Sequence, residues 1–162
     1  MRIRAARPEE YAEIGELTAR VYVDGGYTRA DSPYLPVLRD TARRADQAEL
    51  LVAEEDGKLL GSVTFATGGS PYAETAETPD EAGFRMLVVD PAARGHGVGE
   101  ALVRTCLARA RAAGARAVRL STQREMRAAH RLYERLGFVR TPERDWSPQP
   151  GVDLITYALE LG

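Results

Sequence analysis

The sequence predicts an α/β (α+β) fold built on a mixed central sheet, with elements in the order β-α-α-β-β-β-α-β-α-β-β. Three observations carry that reading. Residues 84 to 121 read as strand, glycine-rich turn, helix and strand, the pattern of a right-handed crossover between parallel strands. Asp56-Gly57 separates two apolar runs over 49 to 67, a hairpin signal that adds antiparallel strands to the sheet. Near the N-terminus, apolar residues recur at helical spacing. There is no internal repeat, low-complexity tract or linker, so residues 1–162 are read as one domain.

Taken in order, Ile3 and its neighbours make a short first strand. Pro8, Glu9 and Glu10 open a helix, since proline suits its first position and acids suit its positive end. Tyr11, Ile14, Leu17 or Thr18, Val21 and Tyr22 give that helix one apolar face, and Gly25-Gly26 ends it. A second helix is expected over about 36 to 46. Glu49 to Glu54 and Lys58 to Thr67 are the two hairpin strands, and Gly68-Gly69-Ser70-Pro71 breaks the second. Residues 72 to 81 read as an acidic loop carrying Glu74, Glu77, Asp80 and Glu81. A buried strand from about 82 to 89 stops at Asp90-Pro91, because proline lacks the N–H a ladder needs and restricts the residue before it.

A helical pattern runs from Val98 to Ala113 and ends at Gly114, and Ala117 to Ser121 is the next strand. Thr122-Gln123-Arg124-Glu125 fits a capping box, so a helix is expected there, with Met126, Ala129, Tyr133 and Leu136 on one face and Gly137 as its stop. Phe138-Val139 opens a strand, Trp146 to Gly151 is a proline-bearing loop, and Asp153 to Leu161 alternates as a last strand.

The composition narrows the function classes. Hydrophobic residues are 44% and charged residues 28%, ordinary for a globular protein, and the net charge of −2 argues against a partner held through nucleic-acid phosphates. The single cysteine, Cys106, excludes an intrachain disulfide and falls on an apolar stripe with Val98, Leu102 and Ala110, which makes it core filler. The N-terminal residues lack the apolar core of a signal peptide, and no run approaches the ~18 apolar residues of a membrane span. The expectation is a cytoplasmic protein with no membrane or nucleic-acid partner and no metal.

The stretch Arg94-Gly95-His96-Gly97-Val98-Gly99 opens a helix directly after a strand. A helix N-terminus carries unpaired N–H donors and a partial positive charge, and glycines let the backbone approach an anion closely. Three anions compete. A P-loop requires a lysine that is absent here. A dinucleotide fingerprint requires a third glycine where Glu100 stands, and an earlier place in the chain. The third reading is the pyrophosphate of coenzyme A, with Arg94 as a charged partner.

Arg94-x-x-Gly97-x-Gly99 resembles the [QR]-x-x-G-x-[GA] motif of the GNAT N-acetyltransferase superfamily. Ala129-x-x-Leu132-Tyr133-Glu134-Arg135-Leu136-Gly137-Phe138 resembles that family's A-x-x-L-Y-x-x-x-G-F signature, and the spacing and element order are also similar. The resemblance implies a GNAT fold and acetyl-CoA as cosubstrate. It implies that main-chain groups of Leu87, Val88 and Val89 pair with the pantetheine arm, and that Arg94, Gly95, His96, Gly97, Val98 and Gly99 hold the pyrophosphate. It implies Tyr133 as the general acid that protonates the departing thiolate. Many family members carry a coenzyme-contacting asparagine where Met126 stands, so that contact does not carry over. The strand glutamate that some members use as a base aligns with Gly83, and Glu81, two residues earlier, is read as the catalytic base.

The expected activity is direct acetyl transfer to a primary amine of a small molecule or peptide, with a homodimer left open. Tyr22, Tyr27, Tyr34, Tyr72 and Trp146 fall in or beside the segments expected to form the acceptor pocket. The alternative is a non-catalytic acyl-CoA-binding or sensory module on the same fold.

Overall fold

Strand pairing in the computed structural model puts one eight-stranded sheet at the centre, in the order β1-β2-β3-β4-β5-β8-β6 with β7 on β8. The structure describes residues 1–162, Gln149 by its backbone only. The strands are β1 (Arg2–Ala5), β2 (Glu49–Glu55), β3 (Lys58–Thr67), β4 (Glu81–Val89), β5 (Ala117–Gln123), β6 (Val139–Arg140), β7 (Trp146–Gln149) and β8 (Val152–Glu160). The helices are α1 (Tyr11–Asp24), α2 (Leu35–Arg39), α3 (Thr41–Gln47), α4 (Val98–Ala112) and α5 (Arg127–Arg135). Among the described residues no helix is long and apolar enough to cross a membrane.

The β2–β3 hairpin turns at Asp56 and Gly57, both with positive φ, as a two-residue turn matched to strand twist requires. Alternation along the strands feeds two layers. Leu51, Ala53, Val63 and Phe65 point to the face covered by Val98, Leu102, Cys106 and Ala110 of α4. Leu50 and Val52 point the other way, onto Ile14 of α1. Cys106 is buried in that first layer, and burial pushes its thiol well above the ordinary range.

Several elements differ from the sequence expectation. The helix expected over 36 to 46 is two helices, because Asp40 leaves helical geometry (φ −83°, ψ 65°) and its side chain accepts from the Arg43 N–H, capping α3. The capping box at Thr122 does not form. Ser121, Thr122 and Gln123 stay in β5, paired with Thr156, Ile155 and Leu154 of β8, and α5 begins only at Arg127. The proline-bearing loop contains β7, where Trp146 pairs with Leu154.

Two irregularities shape the centre of the sheet. Parallel pairing of β4 with β5 covers only Glu81–Gly83 against Ala117–Arg119. Beyond Gly83 the strands part, and among the described residues the β5-facing edge of β4 has no ladder partner. On its other edge β4 carries a bulge: Thr64 pairs with Arg85 and Ser62 with Val88, so Val63 faces both Met86 and Leu87. Met86 takes φ +55°, a left-handed conformation costing roughly 1–3 kcal/mol for a non-glycine residue. Its buried side chain, packed with Ala19, Leu35 and Leu38, holds it there.

Candidate active site

Where β4 and β5 part, a cleft of about 470 Å³ opens between Met86 and residues Ser121, Thr122 and Gln123. Tyr22, Tyr27 and Tyr34 close it from the side of α1, and Trp146 and Leu154 from β7 and β8. Of the five aromatic residues expected at an acceptor pocket, four therefore line one cavity. Tyr72 instead packs against Arg85, whose guanidinium carbon is 5.6 Å from its ring centre.

Arg85 projects into the cleft, and Glu74 reaches it from the acidic loop. Arg85 Nη1 donates to Glu74 Oε1 at 2.8 Å and Oε2 at 2.9 Å, and Nη2 donates to the Tyr34 hydroxyl at 3.0 Å. Arg85 escaped the sequence reading, because an arginine in an apolar strand has no spacing that reveals its partners. Tyr22, packed against Tyr27 and Tyr34, is pushed well above the ordinary phenol range by burial.

Glu81 does not reach this cleft. It is 0% exposed at the start of β4. Its Oε1 lies 3.0 Å from Arg119 Nε and accepts the Glu77 N–H at 2.6 Å, and its Oε2 lies 3.0 Å from Arg116 Nη2. The structure thus surrounds it with two guanidiniums and removes it from solvent.

Tyr133 sits on α5 and is 5% exposed, its ring 5.8 Å from Phe84, 5.8 Å from Phe138 and 5.9 Å from Tyr157. Burial raises its pKa well above the ordinary phenol range, and the nearby Tyr22 adds to that. Among the described residues its hydroxyl makes no hydrogen bond, and Tyr133 is not one of the residues that line the cleft.

The glycine turn follows the C-terminal end of β4 and leads into α4. Gly95 and Gly97 have φ of +81° and +76°, and Gly97 is the N-cap of α4 without a capping side chain. The first N–H groups of α4 are therefore left for a ligand. Arg94 and His96 are exposed at the turn, and His96 Nδ1 lies 3.2 Å from the Ala93 carbonyl. Val98 is core. A Cβ on Gly99 would lie 3.6 Å from Leu132 and 3.7 Å from Val89, ordinary contacts, so Gly99 is not demanded by packing. Glu100, in the first turn, bonds to Arg135 and Arg104, and both hold its carboxyl below the usual range.

Residues 11–138 match the family model described as the acetyltransferase (GNAT) family. A mycothiol acetyltransferase of Cellulomonas flavigena is 39% identical over 118 residues, covering 68% of this chain and 34% of that protein. One of Thermomonospora curvata is 40% identical over 96 residues, covering 59% of this chain and 29% of that protein. The chain thus spans about a third of the length of these curated relatives. Among solved structures, a GNAT-family acetyltransferase of Brucella melitensis in complex with acetyl-CoA superposes with a TM-score of 0.62 at 29% identity, over 99% of this chain and 88% of that one. A GNAT-family acetyltransferase of Staphylococcus aureus gives 0.79 at 14% identity, over 99% of each chain.

Proposed function

Because the chain belongs to the acetyltransferase (GNAT) family, we propose that it transfers the acetyl group of acetyl-CoA directly to a primary amine held in the cleft between β4 and β5. The observation that carries this reading is the parting of the two strands after Gly83, with Glu74, Arg85 and the tyrosines lining the cleft that opens there and the glycine turn following the same strand, β4, before α4.

Acetyl-CoA supplies an acyl carbon activated as a thioester. The residues present fit it. Arg94 to Gly99 offer backbone N–H groups and one guanidinium to the pyrophosphate, each charged hydrogen bond contributing roughly 1.5–3 kcal/mol. The edge of β4 at Leu87, Val88 and Val89 offers main-chain groups to the pantetheine amides.

The transfer forms an N–C bond and breaks the C–S bond. One proton leaves the amine and one reaches the sulfur. Tyr133 donates the second. A phenol near pKa 10 gives a proton to a thiolate near 8.5 at a cost of about 2 kcal/mol in water. Burial makes the phenolate less favourable, but the thiolate forms in the same desolvated site and is disfavoured by the same cause. The first proton passes to Glu74, directly or through water, because Glu74 is the acid that lines the cleft and Glu81 is enclosed. Cys106 is buried in the core, so no acetyl-enzyme is expected.

The test is thermal stabilisation by acetyl-CoA together with release of free CoA thiol in the presence of polyamines, amino sugars, amino acids and peptides. Stabilisation and turnover together are expected. Stabilisation without turnover on any amine establishes the non-catalytic acyl-CoA module instead, and the absence of stabilisation overturns the donor.

A further inference from the structure

The charges around the cleft do not balance. Arg85 is its one lining cation and Glu74 its one lining acid among the described residues, and they are paired with each other. Directly behind them lies Arg44, 0% exposed. Arg44 Nη1 donates to Thr64 Oγ1 at 3.1 Å and Nη2 to the Leu38 carbonyl at 3.0 Å, while Nε has no partner among the described residues. Among the described residues no carboxylate lies within ion-pair distance of Arg44. Its ionisable neighbours are Tyr22, Tyr72, Tyr34 and a second cation, Arg85. A buried charge is costly unless paired. Two guanidiniums and one carboxylate thus leave one uncompensated positive charge at the wall of the cleft.

The geometry points to an acceptor that is an amine carrying its own carboxylate, an amino acid, with the carboxylate on Arg85. This rests on the acetyl-transfer reading of the cleft. Three features support it. Arg85 spends Nη1 on Glu74 and one N–H of Nη2 on Tyr34, so N–H groups remain uncommitted among the described residues on a side chain that lines the cleft and is 26% exposed. The hydroxyls of Tyr34, Ser32 and Thr28 line the same wall and can donate to a carboxylate. Arg85 also directly precedes Met86, where β4 bulges, and both residues line the cleft beside the edge of β4 that parts from β5. An acceptor held in that cleft with its carboxylate on Arg85 keeps its amine on the same side of β4 as the proposed donor. The apolar lining from Trp146, Val152 and Leu154 suits an apolar side chain.

In the reaction the amino nitrogen forms the amide bond, the thioester C–S bond breaks, the amine proton leaves toward Glu74, and the sulfur takes its proton from Tyr133. The substrate carboxylate is unchanged.

The experiment compares three series: apolar L-amino acids, their amides, and the corresponding amines without the carboxyl group. kcat/KM for CoA release and the rise in Tm at fixed ligand concentration are read in parallel. The acids are expected to exceed their amides at least tenfold in kcat/KM and to give the larger rise in Tm. Arg85→Gln is expected to collapse both preferences toward unity through KM. Arg85→Lys, which keeps a cation beside Glu74 and guards against a folding defect, is expected to retain part of them. Equal use of acids, amides and amines overturns the inference and leaves acetyl transfer standing. So does a preference that survives in Arg85→Gln. If no amine is turned over, the Tm series decides: an Arg85-dependent preference for acids upholds the carboxylate site while the transfer reading fails, and its absence overturns both.

Discussion

Arg85 and Glu74 form a two-pronged contact, with one Nη of the arginine on both carboxylate oxygens at 2.8 and 2.9 Å. The same guanidinium holds the Tyr34 hydroxyl and stacks over Tyr72. One side chain of β4 thereby ties the acidic loop and the segment after α1 to the strand that flanks the donor. The cleft is built from loops, but its walls are set by a residue on the sheet, and that favours a fixed acceptor geometry.

Glu74→Gln keeps an oxygen for Arg85 and removes the ability to take a proton. If Glu74 receives the amine proton, kcat falls about 100-fold while the dissociation constant of acetyl-CoA stays unchanged. Steady-state kinetics paired with calorimetric titration of acetyl-CoA reads both, and an undiminished kcat at neutral pH removes Glu74 from the reaction.

Tyr133→Phe deletes a hydroxyl that makes no hydrogen bond among the described residues. Stability should change by less than about 0.5 kcal/mol, since no hydrogen bond is lost and the ring packing remains. A fall in kcat of about 100-fold would then reflect the missing proton alone. A destabilised variant with normal turnover per folded molecule would assign the tyrosine to the core.

Glu81→Ala should unfold more readily rather than merely turn over slowly. The carboxylate lies between Arg116 and Arg119 with no solvent exposure, and its loss leaves Arg119, itself only 12% exposed, without that partner. Removing one member of such a pair costs about 3–5 kcal/mol. Urea unfolding should show that loss. Turnover per folded molecule should fall less than in Glu74→Gln, and the reverse ranking would restore Glu81 as the base.

How far the sequence foretells this site depends on whether the signal is local. The glycine turn and the Asp56-Gly57 hairpin are legible because positive φ is a property of one or two residues, and glycine marks it. The helical and strand periods place Tyr133 and Cys106 correctly on apolar faces. The bulge at Met86 is invisible, since a methionine with φ +55° carries no compositional mark and is held by packing from α1 and α2. The capping box at Thr122 misleads because pairing with β8 outweighs a local cap worth about 1 kcal/mol. Glu81 reads as a catalytic base at the end of an acidic loop because Arg116 and Arg119 meet it only after β5 is laid beside β4. The meeting of Tyr34, Glu74 and Arg85 has the same non-local origin.

The turn itself separates two glycines that look alike in sequence. Gly97→Ala must accept φ near +76° and places a methyl in open space at the turn, with no atom of the described residues within 4 Å. It should lose about 1 kcal/mol of stability and most of its stabilisation by acetyl-CoA. Gly99→Ala meets only ordinary contacts and should leave the stability of the free chain within about 0.5 kcal/mol. Thermal denaturation of both variants, with and without acetyl-CoA, checks the contrast.

Asp145 precedes Trp146 and anchors that wall of the cleft. Its carboxylate accepts two bonds from Arg140, both at 2.9 Å, one from the Thr156 N–H at 2.9 Å, and one from the Thr156 hydroxyl at 3.1 Å. Arg140 first, and then the Thr156 bonds, lower its pKa to about 2. An unfolded aspartate titrates near 3.9, so between about pH 4 and 2 the unfolded chain binds more protons than the folded one. The stability contributed by this carboxylate is therefore fully present above about pH 4 and is lost as pH falls toward 2. Allowing for its partial exposure, it amounts to about 1–2 kcal/mol. Asp145→Asn lacks the titration and should be less stable than wild type by that amount at pH 5, with the two converging near pH 2. Glu10, also lowered to about 2, by Arg4, titrates in both proteins and cancels in the difference. Urea unfolding at half-unit steps from pH 5 to pH 2 measures the gap, and a gap that stays constant would place the stabilisation elsewhere than in the charge of Asp145.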